Sequence, residues 1–286
     1  MIHEAELRRL AATNGVDTMV QDLDYGLGWF LAGLFATATT IPPLIFKGGT
    51  CLRKCYFADY RFSEDLDFTL TEALPLEKLA ATFTEIQTWS QAADGPNFDV
   101  APMQLEVVND EYGLESYQAR IYYRGALRWG GPPRSIQLDI SRGEPVAFTP
   151  AQRTLLHPYS DASRMPPTII PCYDLAEMLT EKLRAISGQR RFAISRDIYD
   201  IYRLTENGVD LDLVRLALPV KFAAKGIAQG NISPENLSSR RLSFEADWQR
   251  RLAHLLPLQQ PVTFEMAWQR VLDTAATLTQ STQEPS

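Results

Sequence analysis

The sequence predicts an α+β fold: a mixed sheet with flanking helices, followed by a helical C-terminal half. Segments 99–108, 117–124 and 135–141 alternate β-branched or aromatic residues with polar ones, and glycine and proline separate them. Beyond Pro171, apolar residues recur at intervals of three and four, which is the period of a buried helix face. The predicted divisions are a core domain at 1–165, a helical domain at 166–280 and a disordered tail at 281–286.

In the first half, residues 3–38 are predicted to be helical because apolar positions recur at three and four. An apolar run at 44–46 predicts a short strand, and Gly48-Gly49-Thr50 begins the next predicted helix. A strand at 66–70 and a helix at 76–91 follow. The second half is predicted to hold helices at 173–187, 193–205, 211–224, about 234–256 and 263–279.

Composition limits the class of protein. The chain has 286 residues and a net charge of −7, whereas proteins that coat nucleic acid are usually basic. Its three cysteines are an odd number, which argues against a disulfide framework and for a reducing cytoplasm. The most apolar window, 27–38, is shorter than the roughly 20 residues that cross a bilayer. We therefore expect a cytoplasmic protein with no membrane partner.

The stretch "RFSEDLDF" places two acids on one predicted strand. Asp65 and Asp67 are two residues apart, so both side chains leave the same face of the strand. Carboxylates held this close share a proton or bind a cation, and an all-oxygen site suits Mg²⁺. Asp139, in "SIQLDIS", is the best candidate for a third ligand because it is an acid inside an apolar strand. The alternative is that Asp139 is a structural acid accepting hydrogen bonds from a turn.

The glycine pair Gly48-Gly49 lies about 15 residues before these acids. Glycine lets the backbone approach a ligand closely, the helix start offers N–H groups to a phosphate, and Thr50 adds a hydroxyl. A phosphate site beside a metal site is what transfer from a nucleoside triphosphate requires. The alternative is a Gly-Gly turn next to solvated acids.

These segments together resemble the AbiEii/AbiGii-type nucleotidyltransferase toxins, the MenT-like toxins of toxin–antitoxin systems. That family belongs to the polymerase-β-like nucleotidyltransferase superfamily. The resemblance rests on "KGGTCLRK" with "RFSEDLDF", on "EMLTEKLRAIS" and on "RDIYDIYRL", in this order from Lys47 to Leu204. The N-terminal "DLDYGLGWFLAGL" also fits the family.

The resemblance implies a role for each matching residue. Asp65 and Asp67 would hold Mg²⁺, and Asp139 would complete the metal set or deprotonate the attacking hydroxyl. Lys182, from the helical domain, would bind phosphate, and Asp197 would orient Lys182 or the nucleotide, with Asp200 on the same helix face. The implied nucleotide-binding residues are Lys47, Gly48, Gly49, Thr50 and Ser63.

Other interpretations of the helical residues stay open. Lys182 belongs to a charged stretch that is compatible with an ordinary solvated helix face. Asp197 and Asp200 have the spacing to pair with Arg196 and Arg203 on their own helix. The solvated-face interpretation concerns Glu177, Glu181, Lys182 and Arg184.

By resemblance, the expected activity is the Mg²⁺-dependent transfer of a nucleoside monophosphate from an NTP to an RNA 3′ end. A tRNA acceptor stem is the expected substrate, so that aminoacylation, translation and growth stop. A cognate antitoxin protein would be the partner. Two alternatives stay open: transfer to a small molecule or a protein hydroxyl, and a catalytically inactive binding module of the same fold.

Further features favour structural roles or leave the choice open. Cys51 and Cys55 share a helix face, and burial is favoured over a zinc site because two more ligands would be needed. Stacking of bases on Tyr122, Tyr123 and Trp129 is less favoured than packing. The main basic concentration, either an RNA or triphosphate surface or ordinary solvated side chains, comprises Lys182, Arg184, Arg190, Arg191, Arg196 and Arg203, with Arg240, Arg241, Arg250 and Arg251 as weaker additions.

Overall fold

The chain forms two compact units in a computed structural model that describes residues 1–37, 43–109, 113, 115–127, 130–190, 192–258 and 261–280. The predicted tail at 281–286 lies outside these ranges, as do Trp129 and Arg191. The first unit takes in the described residues of Met1–Glu144, Pro150–Cys172 and Leu255–Gln259. The second takes in those of Pro145–Thr149, Tyr173–His254 and Gln260–Ser286.

A seven-stranded mixed sheet forms the centre of the first unit. Its strands are β1 (Leu44–Lys47), β2 (Asp65–Leu70), β3 (Gln104–Asn109), β4 (Glu115–Tyr123), β5 (Arg134–Arg142), β6 (Ala151–Thr154) and β7 (Ile169–Cys172). They lie in the order β3-β4-β5-β2-β1-β7-β6. The β2–β5 and β1–β7 pairs are parallel and the other pairs are antiparallel. The predicted mixed sheet is therefore confirmed.

Two strands of this sheet had no counterpart in the sequence prediction. Both β6 and β7 have only four residues, too few to show a clear alternation of apolar and polar positions. Pro171 lies inside β7 and suggested a boundary rather than a strand. Because β7 ends at Cys172, the first unit extends past the predicted boundary at 165.

The first unit contains four α-helices, α1 (Glu4–Asn14), α2 (Thr18–Ala32), α3 (Gly48–Cys51) and α4 (Leu76–Ala92). The helix predicted at 3–38 is two helices, because Gly15 ends α1 with a left-handed backbone (φ 68°). The Asp17 carboxylate then caps α2 by accepting a hydrogen bond of 2.7 Å from the Met19 N–H. Single turns of π-helix extend α2 over Gly33–Thr37 and α3 over Leu52–Tyr56.

Helix α2 is the central helix of the first unit. Every residue from Gln21 to Ala32 is buried, so this helix is covered on all sides. The Phe30 ring lies 5.6 Å from Phe83 of α4 and 5.7 Å from Phe98, measured between ring centroids. This packing joins α2 to α4 and to the segment that precedes β3.

All described secondary structure of the second unit is helical. Its α-helices are α5 (Leu175–Arg184), α6 (Ser195–Glu206), α7 (Leu211–Ala223), α8 (Pro234–Ser238), α9 (Arg241–Asp247) and α10 (Phe264–Thr279). The single helix predicted at about 234–256 was wrong, since this stretch forms α8, α9 and further short turns. Gly188 has φ 115° and ends the helical run after α5, as predicted. Across the described residues, no helix is both long and apolar enough to cross a membrane.

Candidate active site

The register of the sheet brings the three predicted acids together. Asp67 on β2 is the direct partner of Asp139 on the neighbouring parallel strand β5. Partners on adjacent strands are about 4.8 Å apart and their side chains leave the same face. Asp65 precedes Asp67 by two residues and shares that face, while Lys47 pairs with Asp67 from the β1 side. All three carboxylates are half-buried.

The environment of Asp139 raises the pKa of its carboxyl group. Burial is the main cause, and the negative charge of Asp65 acts in the same direction. The Gln118 amide, which donates a 2.9 Å hydrogen bond to Asp139, and the charge of Lys47 oppose the shift. A shift of this sign means that the ionised form of Asp139 is destabilised, mainly because the group is partly removed from water. A divalent cation beside it would favour the ionised form.

Both glycines of the loop before α3 lie directly against residues of this cluster. Gly48 has φ 78°, and a Cβ atom there would lie 2.1 Å from Oδ2 of Asp67. A Cβ atom on Gly49 would lie 2.4 Å from Nη2 of Arg61 and 3.0 Å from Oγ of Ser63. Glycine is therefore required at Gly48, where the backbone has a positive φ, and at Gly49 any side chain would have to displace Arg61.

The polar residues around the glycines hold the cluster in place. The Thr50 hydroxyl donates a hydrogen bond to the backbone carbonyl of Asp65 and is buried. The Ser63 hydroxyl lies 3.4 Å from Oδ1 of Asp65. The Lys47 ammonium pairs with Glu144 at 2.5 Å, and both side chains are buried. The structure thus shows a supporting role for Thr50, Ser63 and Lys47, and their nucleotide-binding role stays a prediction.

The predicted site residues of the second unit form a charge cluster of their own. The Lys182 ammonium lies 2.7 Å from Asp197 and 3.0 Å from Asp200, and Arg190 lies 2.7 Å from the other oxygen of Asp197. Only 13% of the Lys182 side chain is exposed. Burial alone would raise the pKa of Asp197, but the charges of Arg190 and Lys182 outweigh it and lower that pKa. The predicted contact between Lys182 and Asp197 is present.

The interpretation of α5 as a solvated charged face is wrong. Glu177 is fully buried and pairs at 2.6 Å with Lys221, which is also fully buried. Its carboxylate oxygens accept hydrogen bonds from the N–H groups of Ala147 and Phe148. The Arg184 guanidinium is buried and donates a 2.8 Å hydrogen bond to the Lys221 carbonyl. These residues hold the second unit together internally.

The basic concentration is partly internal as well. Arg184 and Arg203 are both buried, so neither belongs to a surface that would guide RNA. Arg190 is engaged with Asp197, and Arg240 donates hydrogen bonds to the carbonyls of Ile186 and Arg190. Tyr123 is fully buried, which excludes it from base stacking in this structure. Cys51 and Cys55 are buried, as predicted.

Three polar residues with structural contacts were not predicted from the sequence: Gln118, Glu144 and Asp24. Gln118 is identified as the partner of Asp139 only once β4 and β5 are paired, and Glu144 only through its ion pair with the predicted Lys47. Asp24 on α2 pairs with Arg53 at 2.6 Å and with Lys54 at 2.7 Å. Asp24 could have been found from the sequence, because it is an acid within the apolar stretch "DLDYGLGWF" and the same kind of position identified Asp139.

Comparison with known proteins agrees with this geometry. Residues 29–274 match the family described as "Nucleotidyl transferase AbiEii toxin, Type IV TA system". Among curated protein sequences, none matches. Among solved structures, MenT4, a nucleotidyltransferase toxin from Mycobacterium tuberculosis H37Rv, is similar with TM-score 0.62 and 22% identity over 98% of this chain and 90% of that one.

A second similar structure is JHP933 from Helicobacter pylori, with TM-score 0.54 and 16% identity over 92% of this chain and 93% of that one. At these identities the two likenesses establish a shared fold. The family match covers most of the chain and includes the glycine loop, the acidic cluster and the charge cluster of α5 and α6. The chain belongs to the AbiEii nucleotidyltransferase toxin family of toxin–antitoxin systems and is a nucleotidyltransferase.

Proposed function

We propose that the protein is a Mg²⁺-dependent toxin that transfers a nucleoside monophosphate from an NTP to the 3′ hydroxyl of an RNA. We propose the acceptor stem of tRNA as that RNA, so that aminoacylation, translation and growth are blocked. The observation that carries the proposal is the juxtaposition of Asp67 with Asp139 on neighbouring strands, with Gly48 packed against the Asp67 carboxylate.

The residues of the acidic cluster are of the type that binds magnesium. Asp65, Asp67 and Asp139 present carboxylate oxygens on one face of the sheet, and Mg²⁺ prefers oxygen ligands. Burial, together with the charge of Asp65, raises the pKa of Asp139, and a cation beside this carboxyl group would favour its ionised form. When bound, the ion neutralises triphosphate charge and aligns the reacting oxygens.

The chain's own groups bind, orient and accept a proton. The backbone at Gly48 and Gly49 binds the triphosphate, since no side chain stands between it and the cluster. Asp139 accepts the proton of the attacking 3′ hydroxyl, and the oxygen of that hydroxyl bonds to the α-phosphorus. The bond from that phosphorus to the bridging oxygen breaks, and pyrophosphate leaves with the electron pair. We assign Lys182 to phosphate binding, and the Asp197 and Asp200 carboxylates hold its ammonium group in position.

The partners follow from the family. A toxin of a toxin–antitoxin pair requires a cognate antitoxin, and we propose a separately encoded protein in that role. The proposed site of action is the cytoplasm, where tRNA and nucleoside triphosphates are found.

The test is incubation of the purified protein with Mg²⁺, total RNA and each of the four α-labelled nucleoside triphosphates. We expect label on RNA, and sequencing of RNA 3′ ends identifies the acceptor and the base added. The Asp65→Ala/Asp67→Ala double variant is the control and should leave RNA unlabelled. Label on protein or small molecules with none on RNA would support the alternative acceptors. A protein that binds NTP but labels nothing would support an inactive binding module.

A further inference from the structure

All three cysteines of the chain meet at one point in the first unit. Cys51 ends α3, Cys55 follows one helical turn later, and Cys172 ends β7. Their three sulfur atoms lie within 4.8 Å of one another. Cys51 and Cys172 are fully buried, and Cys55 is 6% exposed. Thiols from two separate elements thus converge although nothing in their spacing along the chain predicted it.

The distances suit coordination of one metal ion. Thiolate sulfurs bind a zinc-sized ion at about 2.3 Å, so three sulfurs around it in a plane lie about 4.0 Å apart. The observed separation has to shrink by at most roughly 0.8 Å to reach that arrangement, which small side-chain rotations provide. The site is therefore nearly assembled.

The number and type of ligands indicate which ion fits. Thiolates select soft cations such as Cu⁺ and Zn²⁺. Structural Zn²⁺ almost always takes four protein ligands. Within the part of the chain that the structure describes, the group contains three cysteines and no fourth histidine, cysteine or carboxylate. Its burial also leaves little access for water as a fourth ligand. Three-coordinate Cu⁺ matches this set better than Zn²⁺ does.

Positively charged side chains lie near this point. Lys54 directly precedes Cys55 in the chain. The Arg153 guanidinium lies 4.6 Å from the centre of the Tyr56 ring, next to Cys55. Positive charge beside the sulfurs offsets part of the negative charge of a metal–thiolate group.

We propose that Cys51, Cys55 and Cys172 form a buried metal site for a thiophilic cation, with three-coordinate Cu⁺ as its occupant. The site is distinct from the acidic cluster but connected to it by sequence. Cys51 directly follows Thr50 of the glycine loop, and Cys172 pairs with Phe46, two residues before Gly48. A bound ion would tie α3 to β7 behind that loop.

The test is an anaerobic titration of the reduced, full-length protein with Cu⁺ in competition with a chromophoric Cu⁺ chelator. We expect one Cu⁺ per chain, thiolate-to-metal absorption in the near ultraviolet and a higher Tm. Cys55→Ser, at the least buried position, should weaken binding by at least about tenfold. Asp65→Asn, which alters only the acidic cluster, should bind Cu⁺ as the wild type does.

The wild-type titration decides the question even if a cysteine variant fails to fold. Absence of Cu⁺ binding by folded, reduced protein would overturn the proposal. So would unchanged affinity in folded Cys55→Ser. A parallel titration with Co²⁺ as a substitute for Zn²⁺ separates the two ions. A tetrahedral cobalt–thiolate spectrum without Cu⁺ binding would refute the three-coordinate site.

Discussion

Asp139 and Asp24 belong to the same unit, but the pKa values of their carboxyl groups are shifted in opposite directions. Asp24 is buried against Arg53 and Lys54, and although burial itself opposes the change, these charges hold its pKa well below the ordinary value. Asp139 is half-buried, and burial together with the charge of Asp65 raises its pKa. The difference teaches how to tell a structural acid from a candidate ligand. The cations of the protein hold the structural acid ionised, whereas burial outweighs the nearby positive charge at the candidate ligand.

The charge cluster of the second unit combines features of the Asp24 and Asp139 sites: its acids are paired with cations, but it is partly exposed. Asp197 pairs with Lys182 and Arg190, and Asp200 pairs with Lys182, so opposite charges meet within the cluster. Lys182 and Arg190 nevertheless keep 13% and 40% of their side-chain surface exposed. This partial exposure is what distinguishes the cluster from the fully buried Glu177–Lys221 pair.

The largest expected effect is a loss of activity, at the acidic cluster of Asp65, Asp67 and Asp139. Asp67→Ala removes the carboxylate beside Asp139 and Gly48, so we expect nucleotidyl transfer to fall by at least about 10²-fold. The variant should stay folded, because the Asp67 side chain is only half-buried. Labelled-nucleotide transfer and thermal unfolding measure the two quantities. Lost activity accompanied by unfolding would place Asp67 among the structural acids.

Asp24→Ala should have the opposite effect: it should lower stability and leave activity nearly unchanged. It leaves Arg53 and Lys54 buried without their shared carboxylate, and breaking a buried ion pair costs about 3–5 kcal/mol of unfolding free energy. Urea unfolding measures this loss. At a temperature where the variant is still folded, transfer per folded molecule should be close to that of the wild type. Full stability in Asp24→Ala would remove the distinction between the two aspartates.

Lys182→Ala tests the charge cluster of the second unit. If the ammonium stabilises negative charge on the reacting phosphates, kcat should fall by about 10²-fold. Lys78→Ala, at an exposed position of α4, is the matched control and should transfer normally. Unaltered transfer in the Lys182 variant, confirmed by kinetics at saturating NTP, would restrict Lys182 to a structural role within the second unit.

The smallest effect is the pH dependence of stability. Because the folded pKa of Asp24 is lowered, its stabilising contribution is present above the unfolded value of 3.8 and is lost as the pH falls through the folded pKa. Asp139 has the opposite sign, so its contribution is present below 3.8 and is lost as the pH rises through its raised pKa.

The isosteric variants Asp24→Asn and Asp139→Asn separate these contributions. In urea unfolding from acid to neutral pH, Asp24→Asn should lose most stability at neutral pH and less in acid. Asp139→Asn should gain stability at neutral pH and match the wild type in acid. Shifts in the same direction for both variants would contradict the contrast between the two sites.

Local patterns in the sequence determined the class of fold and half of the site. The period of two in β2 placed Asp65 and Asp67 on one face, the glycine pair marked the loop before α3, and the period of three and four located most helices. The two four-residue strands β6 and β7 were too short to be predicted, and a helix interrupted at several points was predicted as one.

Tertiary structure alone decided which distant groups meet. The β2–β5 register sets Asp139 beside Asp67, and the β4–β5 register pairs Gln118 with Asp139. The pairing of β1 with β2 places Gly48 against the Asp67 carboxylate, so that this glycine does more than form a turn. The convergence of Cys172 with Cys51 and Cys55 arises in the same way. The face of a strand to which a side chain points follows from its position relative to its neighbours, so it can be predicted from the sequence. Register between strands depends on the packing of the whole unit, because a slip of one residue would turn every acid of a strand to the opposite face.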